Sequence, residues 1–223
     1  MRARLALAIS SVVCQLREVK LAAKPAAMLA ASPKGTVPVL VLPDGTVIEQ
    51  SLDVMRWALA QSDPEGWLTR DVPALIERND GAFKHDLDRY KYPERHGSDS
   101  LAHRTSGLAF LRDLDARLAV HGQLCGAARG LADMAVMPFV RQFASVDAVW
   151  FAGLDLPHVQ RWLEGHVESA LFAAVMGKFS PWAEGDAVVW FDNPLPQDEL
   201  GGWTSSCTTS RTIHHRRPRL DPG

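Results

Sequence analysis

The apolar positions of the first sixty residues change period several times, and each change predicts an element. MRARLALAIS, 1–10, is rich in helix formers with Leu5, Ala8 and Ile9 on one face, which predicts a short helix with nothing to cap its start. VVCQLREV, 12–19, is β-rich and bounded by Ser10-Ser11 and Lys20, and predicts a strand. A second short helix follows Pro25, through Met28 to Ala31. Ser32-Pro33-Lys34-Gly35 is a turn cluster, and VPVLVLPDGTVIE then places two short apolar runs on either side of Pro43-Asp44-Gly45. That spacing predicts a hairpin, because Asp-Gly supplies the positive dihedrals a tight turn needs. From Ser51 a helix with Leu52, Met55, Trp57 and Leu59 on a broad apolar face runs to about Gln61. The order is α-β-α-β-β-α.

Ser62-Asp63-Pro64-Glu65-Gly66 reads as a connection, beyond which strand patterning gives way to helical periodicity. Helices are expected near 72–90, 98–120, 131–145, 157–167 and 170–178, with turns at Tyr92-Pro93, His121-Gly122 and Gly153. Phe83, Leu87 and Tyr90 have the i, i+4, i+7 spacing of a core stripe, and Trp57, Trp150 and Trp162 read as core and interface mass. The pattern breaks down from Pro181. Two domains are therefore expected, an α/β unit over 1–62 and an all-helical unit over 70–180, followed by a disordered tail over 181–223. The tail contains His214-His215-Arg216-Arg217, whose adjacent histidines read as solvated rather than metal-binding.

Composition narrows the partners. A chain of 223 residues that is 47% hydrophobic can bury one substantial core or two modest ones. A formal net charge of -2 provides no basic field, so neither nucleic acid nor an anionic membrane surface is expected as a partner. The apolar run at 5–9 is far shorter than the roughly 18 residues of a membrane span. Cys14, Cys125 and Cys207 fit neither a disulfide framework nor a CxxC metal site, which points to a reducing, cytoplasmic compartment and to no metal. Cys14 is expected mid-strand with an ordinary thiol pKa of about 8.5. Ser10 and Ser11 stand at the far end of the first helix. His85 and His103 read as lone histidines on charged faces with no catalytic role.

Three pieces of sequence carry a resemblance. They are Lys34-Gly35-Thr36-Val37-Pro38-Val39-Leu40 ahead of the hairpin, Gln50-Ser51 at the mouth of the following helix, and Lys24-Pro25 ahead of Pro38. In this order, and followed by a helical half, they resemble the cytosolic glutathione transferase family over 1–179, in particular its Cys-type, omega-like branch. The resemblance implies a thioredoxin-like α/β N-terminal domain plus an all-α C-terminal bundle, a cis bond before Pro38, and glutathione as co-substrate with no other cofactor. A cis bond there can turn the Val37 N–H and C=O outward to pair with an extended peptide as an added strand would. Ser51 offers a hydroxyl and free N–H groups to the glutamyl carboxylate, where the helix dipole contributes roughly 0.3 to 1 kcal/mol. Gln50 can hold the same end, and Lys24 can meet the glycyl carboxylate. Each residue also has a plainer role. Ser51 can be a helix N-cap worth about 1 kcal/mol, Val37-Pro38 an ordinary strand entry, Lys24 a solvated charge and Lys34 a turn residue.

The resemblance further implies a homodimer whose surface includes the helix after Gln50-Ser51, and a small electrophilic or disulfide substrate bound along helices 72–90 and 98–120. Gly130-Leu131-Ala132-Asp133 resembles the family's capping box with Gly in place of Ser or Thr, a replacement expected to cost a few tenths of a kcal/mol. Arg2-Ala3-Arg4-Leu5 resembles the end of the omega-like nucleophile motif, whose Cys would stand four residues ahead of Met1, so no catalytic residue is assigned within the chain. The strand that precedes this motif in the family lies between 12–19 and 39–42. Both neighbours are expected to lose a hydrogen-bonding edge, at about 1 to 3 kcal/mol per buried unpaired group, which predicts a poorly stable first domain. The functional expectation is a glutathione transferase-like protein that binds glutathione and, when intact, transfers it to an electrophile or acts as a thiol transferase. The alternatives are a non-catalytic binding or scaffold protein of the same fold and a truncated remnant.

Overall fold

The computed structural model describes residues 1–192. Its first helix, α1 (Arg2–Ile9), is apolar on almost every side, with Ala3, Leu5, Ala6, Leu7, Ala8 and Ile9 all buried. A helix of that kind must be enclosed, and α1 is packed by α3 (Ser51–Gln61), α8 (Leu131–Ala144) and α11 (Ala170–Val175). Arg2 is buried with it. Its Nε donates to the Ala135 carbonyl at 2.6 Å and its guanidinium pairs with Asp80 at 2.5 Å, so α1 joins the two halves of the chain.

The expected N-terminal order is observed. β1 is Cys14–Leu16, shorter than 12–19, and α2 is Ala26–Ala31. β2 (Leu40–Val41) and β3 (Val47–Ile48) pair antiparallel with Leu40 opposite Ile48, and Gly45 takes the positive φ of 87° that the turn requires. α3 has the bounds read from the sequence.

In the helical half, α4 (Pro73–Arg78) runs through a π-helical turn at Asn79–Phe83 into α5 (Lys84–Lys91). The expected turn at Tyr92-Pro93 instead opens a short helix, α6 (Pro93–His96), because proline suits the first helical position. α7 (Ser100–His121) is capped by the Asp99 carboxylate and packs along α5. α9 (Ala148–Ala152) was not legible in the periodicity, while α10 (Pro157–Val167) matches it. The core stripe Phe83, Leu87 and Tyr90 is buried, Phe83 packing tilted on Phe110 and Phe143 with ring centres 4.7 and 5.3 Å away. Trp162 is buried, whereas Trp57 and Trp150 are half-buried.

Two expectations about the ends of the sheet are corrected. The described part of the tail, 181–192, is ordered rather than disordered: β4 (Val189–Phe191) pairs antiparallel with β1, Cys14 opposite Phe191 and Leu16 opposite Val189. Phe191 is 2% exposed, and Trp182 donates its backbone N–H to the Glu18 carbonyl at 2.8 Å while its ring lies under the Arg17 guanidinium. One edge of β1 therefore has a partner from the far end of the described chain. Among the described residues the strands form two separate pairs, β1 with β4 and β2 with β3. The remainder of the predicted tail, with Cys207 and His214-His215, lies outside the described residues.

Candidate functional site

The candidate site is the mouth formed by the turn before β2 and the start of α3. The Val37–Pro38 bond is cis and Val37 is 49% exposed. Neither its N–H nor its C=O has a backbone partner among the described residues. The chain leaves β3 through Glu49, which ties this turn to the helix entry. The buried Ser32 donates its hydroxyl to Glu49 Oε1, and Lys34 Nζ lies 3.0 Å from Glu49 Oε2. These hydrogen bonds hold the Glu49 carboxyl below the usual carboxylate range. Sequence reading did not single out Glu49, and it took Lys34 for a turn residue. The acid stands immediately before Gln50-Ser51, yet its partners lie 15 and 17 positions back, so no local pattern marks it.

Gln50 occupies the N-cap position of α3 in extended conformation (φ -98°, ψ 133°), and Ser51 is the first helical residue. The alternative role for Ser51 as a side-chain N-cap is thereby removed: neither residue makes a side-chain cap hydrogen bond, which leaves the Ser51 hydroxyl and the first-turn N–H groups of α3 without partners among the described residues. Lys24, just before α2, folds over Gly35, so that a methyl group built on Gly35 would stand 3.1 Å from Lys24 Nζ. Its ammonium thus lies against the backbone two residues ahead of Val37. Lys24, Val37, Gln50 and Ser51 are exposed or half-exposed, and Pro38 is half-buried beneath Val37 in sequence.

Neither of the two described cysteines is favoured as a thiolate. Burial raises the Cys14 pKa despite the nearby Arg4, which corrects the expectation of an ordinary value. Cys125 is pushed up to about 12 by burial and by the Asp133 carboxylate. Ser10 is 4% exposed at the end of α1 with its hydroxyl unpaired.

Asp133 holds the helical half together. It accepts from the Gly130 N–H at 3.0 Å, which is the reach-back expected of the capping box, and also from the backbone N–H of Leu124 (2.6 Å) and Cys125 (3.2 Å) and from Trp162 Nε1 (3.0 Å). Gly130 is not a cheap replacement for Ser, as the sequence suggested. A Cβ there would overlap the Arg70 carbonyl oxygen, which accepts from Leu131 N at 2.9 Å. His166 is buried beside this network, its Nε2 3.0 Å from Gln123 Oε1, and burial pushes its pKa down to about 4 against the opposing pull of Asp133.

His85 and His103 are not lone histidines. Their rings stand 5.5 Å apart, and His103 Nδ1 is 2.8 Å from Asp86 Oδ1. Ser106 donates its hydroxyl to Asp86 Oδ2 at 2.6 Å rather than to an imidazole, so this cluster is not a nucleophilic triad. Burial alone would raise the Asp86 pKa, but hydrogen bonds from Ser106 and His103 hold it below the usual carboxylate range.

A small α/β unit with a cis-proline hairpin, joined through α1 to a helical bundle, defines the glutathione transferase fold. Comparison of structures agrees. The chain is similar to Gtt2 from Saccharomyces cerevisiae, with 22% identity and a TM-score of 0.60 over 78% of this chain and 94% of that one. It is likewise similar to glutathione transferase F7 from Populus trichocarpa, with 18% identity and a TM-score of 0.65 over 78% and 91%. A glutathione transferase family member from Pseudomonas fluorescens Pf-5, solved with two glutathione bound, aligns at 16% identity and a TM-score of 0.61 over 78% and 86%. No curated protein matches the chain by sequence. Residues 1–61 match the family described as Glutathione S-transferase, N-terminal domain, and the first unit of this chain is such a domain. No helix among the described residues is long and apolar enough to cross a membrane.

Proposed function

We propose that this chain binds glutathione at the mouth between the cis-proline turn and α3. The observation that carries the reading is that unpaired groups of the right chemistry stand in the cis-proline turn and at the start of α3, two segments that Glu49 ties together. The Val37 N–H and C=O supply the main-chain pairing of an added strand. The Ser51 hydroxyl, the free N–H groups of α3 and Gln50 meet the glutamyl carboxylate at the positive end of an 11-residue helix. Lys24 meets the glycyl carboxylate across Gly35. Glu49 touches no ligand in this reading. It fixes the spacing of the two walls through Ser32 and Lys34. The Pseudomonas fluorescens relative with glutathione bound supports the ligand class.

Conjugation to an electrophile, or thiol exchange, needs in addition a group that stabilises the glutathione thiolate, each unit of pKa lowering being worth about 1.4 kcal/mol. Cys14 and Cys125 are pushed the wrong way by their surroundings, and Ser10 is buried. Among the described residues no group does this, and the activity proposed for them is glutathione binding without turnover. Transfer to a small electrophilic or disulfide substrate is proposed where a residue ahead of α1 supplies that group, as the resemblance implies, and a homodimer is proposed in either case. The test is retention on immobilised glutathione, elution with free glutathione, and assay of conjugation and disulfide reduction. Specific elution with turnover at the uncatalysed rate is the expected result. Passage through the column unretained overturns the binding reading, and turnover well above background overturns the non-catalytic one.

A further inference from the structure

The seam between α5 and α7 brings together side chains that the glutathione reading does not use. We propose that His85, Asp86 and His103 form a binding site for a divalent transition-metal ion of the imidazole-preferring class, with zinc as the reference ion. One donor atom from each residue lies within 4.8 Å of the other two. Asp86 Oδ1 is the common centre, 2.8 Å from His103 Nδ1 and 3.5 Å from His85 Nδ1. Donors held about 2.0 to 2.2 Å from a tetrahedral zinc stand roughly 3.3 to 3.5 Å from one another. The His85 separation from Asp86 already matches, and an ion that replaces the proton between His103 Nδ1 and Asp86 Oδ1 widens that pair from 2.8 Å, while the 54% exposed His85 side chain is free to turn towards it.

Three further observations favour a ligand set over a plain ion pair. The Asp86 side chain is only 12% exposed, and its second oxygen is engaged by Ser106 at 2.6 Å, which fixes the carboxylate and leaves Oδ1 turned to both imidazoles. Such an outer partner is the usual support of a metal-bound carboxylate. One histidine satisfies Oδ1 with a good hydrogen bond, yet a second imidazole stands on the same oxygen at 3.5 Å, at most a weak bond. Lastly, the three residues project from two helices packed on each other, which hold donors more tightly than loops do. Two imidazoles and one carboxylate suit zinc and its late first-row neighbours rather than calcium or magnesium, and the exposed side at His85 leaves a fourth position for water.

The site reads out separately from glutathione. The full chain, stripped with a chelator and dialysed, is titrated with zinc chloride by calorimetry, alongside His85→Ala, His103→Ala and the tail variant His214→Ala/His215→Ala. His85→Ala is the informative variant, because its ring is 54% exposed and its loss is expected to leave the fold intact by circular dichroism. The expected result is one saturable equivalent of zinc for the wild type, affinity lowered at least tenfold in His85→Ala and more in His103→Ala, and no change in the tail variant. Ser106→Ala is expected to weaken binding about tenfold through the released carboxylate. Absence of saturable uptake by the wild type, equal affinity in His85→Ala, or loss of binding in the tail variant alone overturns the proposal.

Discussion

Burial separates the roles of two residues that look equally ordinary in the sequence, Ser51 and His166. The Ser51 hydroxyl makes no cap bond, so Ser51→Ala is expected to change the folding free energy by less than about 0.5 kcal/mol, well under the roughly 1 kcal/mol of a lost N-cap, as read from urea unfolding. His166 behaves oppositely. Its folded pKa, pushed down to about 4, lies below the unfolded value of about 6.5, so the unfolded chain binds the extra proton between them. Stability from this residue is complete above about pH 6.5 and falls as the pH drops towards 4. At pH 5 the expected loss relative to pH 7 is roughly 2 kcal/mol. His166→Gln should flatten that part of the urea-derived pH profile, and an unchanged profile would show that the buried imidazole is not its source. The residues proposed to face the peptide were nominated because each sits at a local landmark: Lys24 beside Pro25, Val37 before Pro38, and Gln50-Ser51 at a helix start. Glu49, and the meeting of His85 with His103, depend on distant partners that no short pattern records.

Among the elements, the hairpin, α3 and α10 were readable from the sequence because turn chemistry and helical periodicity are local. β4 was not, since its three residues gain meaning only by pairing with β1 across the molecule, and the prolines, glycines and acids around them read as tail. That pairing carries a prediction. Phe191→Ala removes a buried ring and should cost about 3 to 5 kcal/mol, whereas Trp190→Ala, on the 57% exposed neighbour, should cost less than about 1 kcal/mol, both measured by urea unfolding. Equal, small costs would mean that the strand does not hold the domain together. The start of α8 shows a different limit of sequence reading. The glycine cap looked like a weakened Ser or Thr, but the Arg70 carbonyl occupies the space a side chain would need. Gly130→Ser should therefore destabilise by about 1 to 3 kcal/mol instead of restoring a better cap, again by urea unfolding.

At the scale of the molecule, α1 connects the parts. It is packed by α3, α8 and α11, and Arg2 bonds across to Ala135 and Asp80, so the proposed glutathione mouth is mounted on the helical bundle rather than on a free-standing small domain. The measurement that tests this account most directly is a calorimetric titration of the chain with glutathione, repeated with γ-glutamylcysteine, for the wild type, Ser51→Ala and Lys24→Ala. Saturable glutathione binding is predicted, weakened about tenfold, or roughly 1.4 kcal/mol, by either substitution. γ-Glutamylcysteine, which lacks the glycyl carboxylate, should respond to Ser51→Ala and not to Lys24→Ala. No saturable binding by the wild type, or substitutions that leave the glutathione affinity unchanged, would contradict the assignment of this mouth as the glutathione site.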